Sequence, residues 1–395
     1  LLSNVSYGFA VAAGIIGAML SFVFGYIECI KGRASKPSAV MTRAAAWFYA
    51  FAVLALVIEI VHRIDVSKTF LNIYAPFVTL IKNPDIFANN MIVIMMTGLF
   101  VFICKKKKLA FSIFSSVWVL LAFVSYLKYN NVYEPALLLD VFQIVDGIAA
   151  VKKYFSIISV LLFFAVLALL VLLIVFSAKR EKSVHVNACT YVFVLCSFAV
   201  ALATFCGVRT LSYTDAASKY VRTNYFSMGF PFSFVNYAAN SHVSVPEGYS
   251  KYKIDEIENI VKSEYKASGS EKEVQNIIVV QMESFCDPYL FAKKYKELEL
   301  ERDPMPFLRS LMSEYSTGNV NVPVFGGQTV KSEFEFLTGM GMNNLPSGYN
   351  PYVTYLYNHH VDSFVSYVKE NGYTATAIHD YQGEFFSRNQ VYEQL

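Results

Sequence analysis

Three places along the 395-residue chain carry side chains able to do chemistry where a fold could present them. Glu283 directly follows an unbroken apolar run, Asn276–Met282 (NIIVVQM). Thr329 closes the loop Phe325-Gly-Gly-Gln-Thr329 at the mouth of a helical pattern. His379 and Asp380 follow a second run, Tyr373–Ile378 (YTATAI). A carboxylate is a hard oxygen ligand for a divalent cation. A threonine hydroxyl becomes a nucleophile once its oxygen is bound to such an ion. A glycine-rich loop opening a helix offers free N–H groups and positive potential to phosphate. Each residue also has a plain structural reading: Glu283 as a helix-capping carboxylate, Thr329 as an N-cap, His379 as a core or surface histidine. His359 and His360 look like a metal pair, but adjacent residues diverge on a helix, so both are read as structural. Cys286 is the one cysteine after residue 206 and reads as a small buried apolar residue.

The elements that must position these residues follow from the pattern. Unbroken apolar runs after turns read as buried parallel strands, here Asn276–Met282 and Tyr373–Ile378. Residues 254–266 have helical spacing, with Ile254, Ile257, Val261 and Tyr265 on one face. Asp303-Pro-Met-Pro leads into a helix, FLRSLMSEY, with proline at its start. Further helices are expected from Val330 to Leu337 and from His360 to Asn371, the latter stopped by Gly372. Strands alternating with helices predict an α/β domain with a mainly parallel sheet, whose ligands collect at the carboxyl ends of strands.

That domain fills only the end of the chain. Overall, 55% of the residues are hydrophobic and 16% charged, against about 25% charged in a soluble domain. The apolar excess lies in residues 1–206, so a membrane half precedes a soluble one, and a net charge of +3 gives no reason to expect a nucleic-acid partner. A spanning helix needs about 20 mostly apolar residues. Six stretches qualify: Tyr7–Ile30, Ala44–Ile64, Met91–Cys104, Leu109–Leu127, Tyr154–Phe176 and Val186–Cys206. The third and fourth also admit a re-entrant hairpin. Segment 132–149 reads equally as an interfacial amphipathic helix or as a connector. The division is therefore 1–206 membrane, 207–274 linker, and 275–395 the beginning of a catalytic domain.

The strand end QMESF, then FGGQTVKSEFEFLTGM, then HDYQGEFFSR resemble the lipoteichoic acid synthase family of the alkaline phosphatase/sulfatase superfamily. The resemblance implies several N-terminal spans and an extracellular sulfatase-like α/β domain. It implies that Glu283 and Thr329 bind a metal ion, manganese or magnesium, and that Thr329 is the nucleophile. It also implies that His379, Phe386 and Arg388 hold a glycerol phosphate group. Phe386 stands where the family has tryptophan, which keeps an aromatic wall but removes the indole donor. The family completes its metal site with a downstream Asp-His pair, so a chain ending at Leu395 is expected to be a fragment, inactive alone and weak in manganese binding. The activity implied is transfer of glycerol phosphate from phosphatidylglycerol to a glycolipid or teichoic acid acceptor at a Gram-positive-type cell membrane. Transfer of phosphoethanolamine by a relative of the same superfamily is the nearest rival. A sulfatase proper would need a C-x-P-x-R sequence, which is absent. A transporter would need charges along its spans, where the acidic residues are only Glu28 and Glu59, both near span ends.

Charge placement orients the spans. Lys31, Arg33, Lys36 and Arg43, then Lys105–Lys108, then Lys179, Arg180 and Lys182 occupy alternate loops, which the positive-inside rule places in the cytoplasm. Tags at residues 106 and 181 are therefore expected inside and a tag at residue 268 outside. Labelling with a membrane-impermeant thiol reagent in intact cells checks this, and protection of position 268 contradicts it.

Overall fold

The computed structural model describes residues 37–63, 75–132, 134–143, 157–212, 221–241, 245, 247–264, 274–283, 285–289, 292, 300–324, 328–346, 349–354, 356, 359–381, 383 and 385–395. The chain divides into two units. One comprises 1–242, 345–360 and 377–394; the other comprises 243–344, 361–376 and Leu395.

The first unit is helical. Its helices are α1 (Pro37–Arg63), α2 (Ala75–Lys82), α3 (Pro84–Gly98), α4 (Lys107–Val132), α5 (Ile157–Arg180), α6 (Ala188–Ser212), α7 (Val221–Met228) and α8 (Phe230–Ala239). Among the described residues five helical stretches are long and apolar enough to cross a membrane: Arg43–Arg63, Pro84–Ile103, Lys107–Asn130, Val160–Lys179 and Ala188–Thr210. They correspond to five of the six stretches expected from hydropathy; Tyr7–Ile30 lies outside the described residues. The third is a full span because a 3-10 turn, Leu99–Ile103, continues α3. Trp47 and Phe51 of α1 pack edge-on against Phe111 of α4, with ring centroids 5.6 and 5.1 Å apart. Glu181 caps α4, its two carboxylate oxygens accepting from the Lys108 and Leu109 amides at 2.9 Å. Negative charge suits the free N–H groups of a helix start. Of segment 132–149, Leu138–Gln143 forms a 3-10 helix, and Asp140 on it pairs with Lys128 at 2.8 Å.

Helices α7 and α8 fold back into this bundle, burying Tyr225, Phe230, Phe232 and Tyr237. The chain turns between them at Gly229, whose φ of +94° suits glycine. A Cβ there would fall 2.3 Å from the Asn90 Oδ1. The polar centre of the packing is Glu59, which is wholly buried. Its Oε2 accepts from Asn90 Nδ2 at 2.7 Å and from the Phe230 amide at 2.8 Å, and its Oε1 accepts from Arg63 Nε. Arg63 also donates to the Phe226 carbonyl at 2.7 Å, and His62 stacks on Phe230 with ring centroids 5.0 Å apart.

The second unit contains α9 (Lys251–Glu264), α10 (Pro306–Glu314), α11 (Val330–Thr338) and α12 (Phe364–Glu370). The first three lie where the periodicity puts them. The fourth starts four residues later than expected from His360, because Ser363 and Ser366 form a reciprocal capping box that begins the helix there. Phe336 of α11 meets Phe364 of α12 at 6.0 Å. Back in the first unit, the turn Pro351–Thr354 packs between residues 138–143 and 385–387, and α13 (Arg388–Gln394) follows.

The expected parallel sheet is the part of the fold reading that the described residues do not show. Among the described residues no strand is formed, and both apolar runs are exposed: Ile278 at 86% and Ile378 at 94%. Parallel strands persist where both faces are covered, and no described element covers these. An apolar run signals a demand for burial, and the cover has to come from elsewhere in the chain.

Removing the Glu59 carboxylate would strand Arg63, Asn90 and the Phe230 amide in a dry interior. Glu59→Ala is expected to lower the stability of the first unit by about 3 kcal/mol, read as a fall in thermal midpoint in detergent.

Candidate functional site

Glu283 and Thr329, 46 residues apart in sequence, meet in the second unit. The Thr329 hydroxyl donates to Glu283 Oε1 at 2.5 Å. This geometry separates the two readings of Thr329. An N-cap hydroxyl accepts from an amide of its own first helical turn. Thr329 makes no such bond; its φ and ψ of −58° and −19° are already helical, and its carbonyl accepts from the Ser332 and Glu333 amides. The hydroxyl is therefore directed at the carboxylate. Glu283 is exposed and Thr329 half-buried, so solvent and ligand reach the pair.

Gln328, immediately before Thr329, has a φ of +61°. Phe386 and Ser387, immediately before Arg388, both have a φ of +55°. Among the described residues these are the non-glycine residues in the left-handed region, and each run abuts a residue singled out from the sequence. The conformation is costly for an L-residue and collects at sites where side-chain direction matters more than local stability.

His379, Phe386 and Arg388 belong to the first unit. The Tyr381 amide donates to His379 Nδ1 at 3.1 Å, which places the proton of the neutral ring on Nε2 and leaves that N–H as a donor. Arg388 is 2% exposed, its guanidinium 5.7 Å from the Phe386 ring centre. Phe386 in turn packs on Phe385, with centroids 4.3 Å apart. The Asn389 amide donates to the Gly383 carbonyl at 2.9 Å, closing the turn that carries these side chains.

Two further features escaped the sequence reading. Lys331 and Glu333, in the first turn of α11, are charged yet buried. Their signal was their place inside the segment that carries Thr329. Downstream of Glu283, Arg309 of α10 grips Asp287 with two bonds of 2.5 and 2.6 Å and holds that carboxyl below its ordinary pKa. Nothing in the spacing of Asp287 and Arg309 announces the pair. Among the described residues no group of three or more His, Cys, Asp or Glu gathers as a metal site. The adjacent carboxylate and hydroxyl oxygens of Glu283 and Thr329 are of the right chemistry for a hard divalent cation and would supply part of its shell.

Residues 275–395 match the protein family described as Sulfatase. The chain is 36% identical over 170 residues to a "Putative cyclic beta-1,2-glucan modification protein" of Rhizobium meliloti (strain 1021), an alignment covering 43% of this chain and 25% of that protein. The chain thus spans about a quarter of the length of the curated relative it matches. No solved structure matches. A sulfatase-like C-terminal segment following helices of membrane-spanning length is the architecture these findings support.

If the left-handed Gln328 backbone is held only by its surroundings, Gln328→Gly releases that strain. The variant is expected to gain about 1 kcal/mol, read as slower amide exchange in α11.

Proposed function

We propose that this chain is part of a membrane-bound transferase that moves glycerol phosphate from phosphatidylglycerol to a lipoteichoic-acid-type polymer or glycolipid through a phosphothreonine intermediate. The observation that carries the reading is the Thr329 hydroxyl turned away from its own helix and onto Glu283. Thr329 Oγ attacks the phosphorus of the lipid headgroup. The bond from phosphorus to the diacylglycerol oxygen breaks, and diacylglycerol leaves with the proton that Thr329 gives up. A hydroxyl of the acceptor then attacks the same phosphorus, the bond from phosphorus to Thr329 Oγ breaks, and Thr329 Oγ takes the proton that the acceptor hydroxyl gives up. Glu283 receives the hydroxyl proton's hydrogen bond and fixes the direction of attack. Manganese or magnesium, held by Glu283 and Thr329, would supply charge neutralisation and a lowered hydroxyl pKa. Arg388 and the Nε2–H of His379 are suited to an anionic or hydroxylated headgroup, with Phe386 as the wall beneath the guanidinium. The spanning helices keep the catalytic segment beside a lipid donor, and the lysine-rich loops favour its placement on the outer side of a bacterial membrane.

A second reading of the acceptor has its own support: the relative's name speaks of a cyclic beta-1,2-glucan, so a glucan hydroxyl replaces the teichoic acid or glycolipid in that version.

In the full-length protein, reconstituted in vesicles containing phosphatidylglycerol, Thr329→Ala is expected to abolish release of diacylglycerol. Thr329→Ser is expected to retain a measurable fraction. A fall of only a few-fold in Thr329→Ala is the size of a lost cap and contradicts the mechanism. Mass spectrometry of the group trapped on Thr329 distinguishes glycerol phosphate from phosphoethanolamine, and supplying glucan or glycolipid identifies the acceptor.

A further inference from the structure

We propose that Arg309 is a positioning residue for Glu283, acting through Asp287. The proposal deepens the reading above and rests on Glu283 being a ligand of the metal ion.

Glu283 cannot be held by a sheet among the described residues, since Asn276–Met282 pairs with no strand there. The restraint comes from downstream. Asp287 lies four residues on, a reach of at most about 14 Å of extended chain. Arg309 donates from Nη1 to Asp287 Oδ2 at 2.6 Å and from Nη2 to Asp287 Oδ1 at 2.5 Å. Its Nε lies 3.4 Å from Asp303 Oδ2, and its guanidinium sits 5.0 Å from the Tyr289 ring centre. Asp287 Oδ1 also accepts from the Tyr289 amide at 3.0 Å, which folds the 287–289 turn onto the same carboxylate. Asp303 Oδ1 accepts from the Met305 amide at 2.9 Å, at the entry to α10.

A planar fork on both carboxylate oxygens fixes orientation as well as distance, which a lysine ammonium does not. The turn that follows Glu283 is therefore fastened to α10. The 2.5 Å approach of Glu283 to Thr329 needs such a fixed base, because an exposed glutamate on a loose loop samples many rotamers. Groups that orient metal ligands from behind typically change metal affinity by about 10- to 100-fold.

The test is Mn2+ binding by the full-length protein, which carries the downstream ligands the resemblance implies, in detergent, read from the electron paramagnetic resonance of free Mn2+, with no substrate present. Glu283→Gln is expected to weaken binding at least about tenfold, and Arg309→Ala by about tenfold. Arg309→Lys, which keeps the charge and the fold, should recover only part of that loss. Circular dichroism establishes that each variant is folded, and where Arg309→Ala is not, Arg309→Lys decides. If Glu283→Gln weakens binding while folded Arg309 variants bind as the unsubstituted chain does, the positioning role is overturned and the metal reading stands. If Glu283→Gln changes nothing, or the unsubstituted chain shows no saturable binding, the metal reading falls and the positioning role with it.

Discussion

One buried carboxylate organises the membrane unit. Glu59 is the point at which α1, α3 and the start of α8 are joined, through Arg63, Asn90 and the Phe230 amide. An ionised side chain in a membrane interior is costly unless its lone pairs are met by donors. Here three donors from three separate parts of the chain meet them, and each donor is itself buried or nearly so. Taking away the carboxylate leaves all three donors without this acceptor in a buried place. The aromatic packing around it, with His62 on Phe230 and Tyr225 beside both, has its register set by these few bonds.

The second unit works on a different principle. Its residues of interest are exposed or half-buried, and their geometry is maintained by local ties: a hydroxyl to a carboxylate, an arginine fork on the next turn, and a backbone forced into the left-handed region beside the threonine. Such ties are individually modest in water. They hold direction rather than stability, as befits groups that must stay open to a ligand.

Much of this was legible from sequence. Hydropathy located the spans because crossing a membrane imposes a length. Helical spacing located α9, α10 and α11 because a helix shows its period over a few turns. Glu283 and Thr329 were legible as a pair only through a resemblance; their contact spans 46 residues, and no local pattern encodes it. NIIVVQM and YTATAI state what they would bury and not what covers them, and no strand forms on them among the described residues. Glu59 read only as a charge near a span end, since two of its three partners lie 31 and 171 residues away. The late start of α12 turned on whether Ser363 or an earlier residue would cap, a contest between neighbouring side chains that periodicity does not see.

The close fit of Gly229 against Asn90 reaches beyond this chain to how such sequences are free to drift. Position 229 cannot gain a side chain while position 90 carries an amide, because the two would occupy the same space. Position 90 cannot shrink to make room without withdrawing a donor from Glu59. A change at either position is thus unfavourable until the other, and the glutamate with them, has changed too. Three residues scattered over 171 positions therefore form a single unit of inheritance, and a relative that lacks one of them should be found to have rebuilt the whole junction.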